Sequence, residues 1–156
     1  MPDLPDPDDY DRLSLNWNEL IQEVRVIQTG VQILTGFLLT VPFTQRFGEL
    51  NDLQVGVYLA VLSGAAATTA LVMAPAAFHR MLFRRGAKLW TVEAGNKCVI
   101  AGLSLLALTL SGVLFLVFDV VLGVGTAALT AGTALVVFAL LWWVVPVKLR
   151  KRWPVE

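Results

Sequence analysis

The sequence is short of charge, sulfur and histidine, and each shortage excludes something. Only 15% of its 156 residues are Asp, Glu, Lys or Arg, where a soluble domain carries about a quarter, so an ordinary soluble fold is excluded. The single cysteine, Cys98, rules out an intramolecular disulfide and leaves the redox compartment unread. It is read as a small buried or interfacial hydrophobe. One histidine, one cysteine and acids scattered toward opposite ends of the apolar segments cannot assemble a metal site, or a nucleophile with its base, within one chain. The chain is therefore not read as an enzyme, and neither a metal nor a cofactor is expected. The stretch "GVGTAA" at 123–128 mimics a dinucleotide-binding glycine signature but lacks the strand and sheet that such a motif requires. No internal repeat is present. The first fifteen residues, "MPDLPDPDDYDRLSL", lack the basic start and apolar stretch of a signal peptide. Their five Asp and three Pro predict a disordered acidic tail over residues 1–15.

What the chain has in plenty is apolar sequence: 56% of its residues are hydrophobic and its mean hydropathy is +0.69. A hydrocarbon core of about 30 Å needs roughly 20 apolar residues per helix, and four such runs fall at 26–43, 55–77, 99–118 and about 125–145. The prediction is an all-α membrane protein, a four-helix transmembrane bundle over residues 16–147 with helices at about 20–43, 55–79, 98–119 and 125–146. A basic tail follows at 148–156. Of the 12 basic residues, 11 lie in the amino-terminal segment, the middle loop or the carboxyl tail, and only Arg46 lies in a turn on the other side. By the positive-inside rule both termini are cytoplasmic and the chain sits in the inner (plasma) membrane. This topology accounts for the basic loops, so nucleic acid is not an expected partner. Trp142 and Trp143 beside Lys148 and Arg150, together with Arg84 and Arg85 of the middle loop, read as anchors at the lipid headgroups.

Lipid gives apolar helices no hydrophobic reason to associate, so small residues that let backbones approach are expected at the packing faces. Ala60, Gly64 and Thr68 fall four apart on the second helix, and Ala128 and Gly132 repeat the spacing on the fourth; both faces are expected to be buried. Pro75 should weaken or bend the last turns of the second helix, with Gly86 as its terminator.

The first apolar segment breaks the pattern. At about 100° per residue, Asn18, Gln22, Arg25, Gln28, Thr29, Gln32, Gly36 and Thr40 share roughly a third of the helix circumference. Polar groups at membrane depth usually face other helices or a wet cavity, so the stripe is expected to point at the other helices or at a symmetry mate. Arg25 lies shallow enough to snorkel, whereas Gln28 and Gln32 lie about one and two turns deeper and need hydrogen-bond partners. Glu23 falls about 160° from Arg25 on the wheel; it reads as an inner-rim ion pair with Arg80 or Arg84, or as a proton carrier. His79 reads as an interface residue at the inner rim, with a functional role as the alternative, and Asp119 as a solvated carboxylate at a helix end or an ion-carrying group.

"ELIQEVRVIQTGVQILTGFLLTVPFTQRF", the "AP" then "FHRMLFRRG" exit of the second helix and "DVVLG" after the third together resemble a family of short bacterial four-helix membrane proteins of unknown function. The resemblance covers about 18–151, and members of that family are often labelled sodium:proton antiporters. It implies proton or monovalent-cation translocation, with Glu23, Arg25, Gln28 and Gln32 as the ion-carrying positions and His79, Arg80 and Asp119 behind them; Gln22 and Thr29 complete the polar stripe as candidates for the pathway. Homo-oligomers would then assemble the stripes around a shared path. The competing expectation is a non-transporting membrane subunit or scaffold whose stripe locks helices together.

Overall fold

The computed structural model describes residues 7–82 and 88–152, and within these every regular element is helical. Helix α1 spans Pro7–Thr40, α2 Asp52–Leu82, α3 Lys88–Leu122 and α4 Val124–Ala139; a π-helical turn, Leu140–Val144, leads into α5, Val145–Arg152. Two 3-10 turns, Val41–Phe43 and Gln45–Glu49, join α1 to α2. The helices outrun the apolar runs at most ends. α1 begins at Pro7, inside the stretch expected to be an acidic tail; residues 1–6, 83–87 with Arg84, Arg85 and Gly86, and the last four residues lie outside the described residues. Among the described residues, four segments are long and apolar enough to cross a membrane: Glu19–Phe43, Asp52–Met81, Thr91–Leu122 and Val124–Leu149.

Two local devices set these boundaries. Gly123 alone separates α3 from α4, at φ 88°, a conformation that costs glycine nothing and an L side chain considerably more. Its N–H donates to the Asp119 carbonyl at 3.0 Å, and its own carbonyl accepts from the Ala127 N–H at 3.2 Å. The second device is Pro146. In a regular α-helix its ring would crowd the carbonyl four residues back and leave that carbonyl without a donor. The π turn widens the helix just ahead of it, with the Val145 N–H reaching back five residues to the Leu140 carbonyl. The single fourth helix expected from the sequence is thus α4, a wide turn and α5. Pro75, by contrast, is fully buried and α2 continues through it to Leu82.

The chain divides into two compact units that share α2 and α3 between them. The first comprises residues up to Thr40 and 65–105. Here α1 buries Val24, Val31 and Leu38, spaced seven apart, with Leu20 ahead of them and Ile27 among them partly covered; Val24 joins Val72 and Val99 in a cluster that Leu20, Ile27 and Leu103 complete. A methyl placed on Gly102 would meet Val72 Cγ2 at 2.8 Å, and one on Gly95 would meet Pro75 Cβ at 3.2 Å. Rising numbers on α2 meet falling numbers on α3, so the two run antiparallel, with glycines of α3 set against the side chains of Val72 and Pro75.

The second unit comprises 41–64 and 106–156. It continues the antiparallel pairing: a methyl on Gly64 would meet Thr109 Oγ1 at 2.5 Å, and one on Gly112 would meet Val61 Cγ2 at 2.6 Å. Tyr58 is buried and packs edge-to-face on Phe47, ring centroids 5.3 Å apart. Helix α4 buries little; Ala127 is its one buried residue, and Thr130, Ala131, Ala134 and Phe138 on the same side are half-buried.

Along α2 the buried residues Tyr58, Val61, Ala65, Thr68, Val72 and Pro75 step by three and four, the repeat of a coiled-coil seam. Thr68 is the anomaly, fully buried with its hydroxyl bonded to nothing. An orphaned buried hydroxyl costs about 1 kcal/mol or more on mutational scales. Thr68→Val, nearly isosteric, should therefore raise the thermal midpoint of the detergent-solubilised protein. A lowered midpoint would mean that the hydroxyl has a partner in the membrane-embedded state.

Candidate functional site

The polar stripe of α1 is present as a continuous face, and in its own unit it lies away from the side of α1 that packs. Gln22, Arg25, Thr29, Gln32, Gly36 and Thr40 are exposed, and Gln28 is half-buried. The inward face of α1 is the apolar seam of Val24, Val31 and Leu38, which lies about 150° round the helix from the stripe at 100° per residue. Within its own unit the packed side of α1 is therefore the apolar seam and not the stripe. The threonines on the face are already satisfied: Thr29 Oγ1 donates to the Arg25 carbonyl at 2.9 Å and Thr40 Oγ1 to the Phe37 carbonyl at 2.7 Å. The glutamines are not. Among the described residues Gln22, Gln28 and Gln32 make no hydrogen bond, although Gln32 stands near the middle of the Glu19–Phe43 segment.

At the amino-terminal end of that segment, Glu23 and Arg25 are both exposed and on different sides of α1. Neither forms an ion pair, so the expected Glu23–Arg80 contact is absent among the described residues; its alternative partner, Arg84, lies outside them. His79 and Arg80 are exposed near the end of α2. The ion pair that is described joins Lys97 to Glu93 at 2.8 Å, one turn apart on the exposed side of α3.

Asp119 is placed differently from the solvated carboxylate that the sequence suggested. It is half-buried, and its Oδ2 accepts from Gln54 Nε2 at 3.0 Å, tying the end of α3 to the start of α2. Gln54 belongs to a reciprocal capping box: its N–H donates to Asn51 Oδ1 at 2.9 Å and its Oε1 accepts from the Asn51 N–H at 3.0 Å. The Asn-x-x-Gln spacing of "NDLQ" is the signal that announces this box; the long-range bond to Asp119 has no local signature. Asp119→Ala should lower stability by about 1.5 kcal/mol, the low end for a hydrogen bond to a charged acceptor at a partly covered site. Gln54→Ala should cost at least as much, and the double variant should cost less than the sum of the two. Additive losses in a chemical-denaturation series would show that the two side chains are not coupled.

The residues expected to pack helices divide. Gly64 and Thr68 are at the α2 seam, while Ala60 is exposed. Ala128 and Gly132 are exposed, a correction to the expected buried face, because α4 turns Ala127 inward and they fall on the adjoining side. With Leu129, Thr133, Val136 and Val137 they line a shallow, apolar groove of about 380 Å³. The close-approach glycines of α3, Gly95, Gly102 and Gly112, escaped the small-residue reading; two of them, Gly95 and Gly102, stand seven apart, a spacing that would have revealed them. Trp142 and Trp143 fall within the π turn, where Phe138 and Trp142 stack at 4.9 Å between centroids and the two tryptophans at 6.3 Å. Lys148 is exposed on α5, which also carries Arg150. Cys98 is half-buried and free, and the described residues hold no group of three potential metal ligands among His, Cys, Asp and Glu.

Among the described residues, four helices are long and apolar enough to cross a membrane, and one of them carries an exposed polar face. The chain belongs to a family of unknown function (DUF6328), which matches residues 7–146. No curated protein and no solved structure matches it.

Proposed function

We propose that this is a small multi-pass protein of the plasma membrane, with both termini cytoplasmic, that assembles with copies of itself, and that its first-helix polar face is the seam of that assembly. The observation that carries this reading is the exposure of an uninterrupted polar face with unsatisfied glutamines on a segment of spanning length. Hydrocarbon leaves such amides unpaired, at a cost of several kcal/mol for each group, and a neighbouring helix removes that cost. The charge bias supports the orientation, because 11 of 12 basic residues fall on the side assigned to the cytoplasm. Two features favour a packing role over a conducting one: no ionisable residue lies at mid-depth in the first segment, and Asp119 is engaged by Gln54. The protein is then a membrane subunit or scaffold.

The second reading is translocation of protons or a monovalent cation, as in the antiporter-like reading. It is favoured by the uncommitted donors and acceptors of Gln28 and Gln32, and by Glu23 and Arg25 at the cytoplasmic mouth of the stripe. The two readings separate in proteoliposomes. Under the packing role, purified protein gives no sodium-driven proton flux above empty liposomes, and Gln32→Leu changes the assembly alone. Flux that is present in the parent and lost in a Gln32→Leu variant that still assembles would replace the packing role with a pathway.

A further inference from the structure

The spacing along the exposed face of α1 is regular. Gln22, Arg25, Thr29, Gln32 and Gly36 step by three, four, three and four, the 3.5-residue repeat by which a helix keeps one seam toward a partner as the pair supercoils. The chain uses the same repeat for its own buried seam on α2. Along the face, long polar side chains (Arg25, Gln32) alternate with small ones (Thr29, Gly36). Nothing lies within 4 Å of a methyl placed on Gly36, so a backbone can approach there.

We infer that this face is the seam of a parallel homodimer in which Gln32 of one copy meets Gln32 of the other, with Thr29 and Gly36 at the close approach of the two helices. The inference rests on the self-assembly proposed above and names its partner and register. The occupant follows from the chemistry of the face. A primary amide is both donor and acceptor, so two glutamines related by a twofold axis satisfy each other, which acyl chains cannot do. Two copies inserted in the same direction meet about a twofold axis along the membrane normal, which brings each residue opposite its own counterpart at equal depth. Arg25 then faces Arg25 near the headgroups, where each side chain snorkels outward to water and lipid phosphate. The α4 groove makes no comparable demand, being apolar and therefore content with lipid.

The test is disulfide trapping of the full-length chain in native membranes. Cys98→Ser removes the native thiol, and single cysteines are introduced as Thr29→Cys, Gly36→Cys, Phe37→Cys or Gly132→Cys. Subunit counting of the same variants in bilayers is run alongside. Since a disulfide needs Cβ atoms about 4 Å apart, oxidation should give covalent dimers from the first two variants and little from the last two. Trapping strongest at Gly132→Cys would move the interface to α4, overturning the inference while leaving self-assembly intact. Oligomers by counting without trapping at Thr29 or Gly36 would overturn it too, as would a face occupied by a different protein or by water. Single subunits throughout would overturn both the inference and the reading beneath it.

Discussion

Gln32→Leu should convert a dimer to largely monomeric protein at protein-to-lipid ratios where the parent is paired. The substitution preserves bulk and removes only the amide, so the intramolecular fold, which places Val24, Val31 and Leu38 on another side of α1, is untouched. Interhelical polar bonds in membrane proteins average about 0.6 kcal/mol and reach about 2 kcal/mol in favourable cases. Two such bonds, donated reciprocally across a twofold axis, correspond to an approximately tenfold loss of association, since about 1.4 kcal/mol is a factor of ten. Gln32→Asn keeps the chemistry on a shorter arm and should retain part of the association. Ile33→Leu, one position away and also exposed, should change nothing. Förster transfer between donor- and acceptor-labelled copies, titrated by lipid dilution, reads all three. Equal dilution curves for Gln32→Leu and the parent would remove the glutamine from the interface.

Gly102→Leu should be severely damaging to the α2–α3 pair. Even a methyl at this position would lie 2.8 Å from Val72 Cγ2 and 3.7 Å from the Val72 backbone nitrogen, and Val72 is fully buried within the Val24–Val72–Val99 cluster. Neither a rotamer change nor a small shift accommodates an isobutyl group there, and overpacking typically costs about 1–3 kcal/mol, sometimes more. Gly102→Ala should cost less, and Val72→Ala should partly rescue it by vacating the space that the new methyl needs. Gly30→Ala is the control: a methyl there meets nothing within 4 Å, and alanine is the better helix former by about 1 kcal/mol in soluble helices. Unfolding followed in mixed micelles should rank Gly30→Ala at or above the parent and Gly102→Leu far below. Equal losses at both sites would mean that glycine serves helix flexibility and not close packing.

These two predictions fall on either side of what the sequence made legible. The four segments of spanning length were readable because chain length and hydropathy determine them almost alone, and the polar stripe was readable because eight polar or small residues recur at helical spacing. Which apolar face of α1 turns inward was not. Val24, Val31 and Leu38 bury themselves against neighbours while Val26, Ile33 and Phe37 remain 58–75% exposed, yet both sets are equally apolar. In a soluble protein, water sorts such faces; lipid tails resemble a protein core too closely to do so. Close packing is then decided by shape, by which glycine meets which valine. For the same reason Ala127 and not Ala128 is the inward alanine of α4, a difference of one step on a helix rich in small residues on every side. The Gln54–Asp119 bond depends on a contact across 65 positions of sequence, and local patterning carries no trace of it.

The account stands or falls on whether this chain pairs with itself. Single-molecule photobleaching of full-length protein labelled at its carboxyl terminus, reconstituted into bilayers across a range of dilutions, measures that directly. The account predicts a two-step population that grows with protein density and that Gln32→Leu shifts to higher density. One-step bleaching at every density, with the parent and Gln32→Leu indistinguishable, would contradict it.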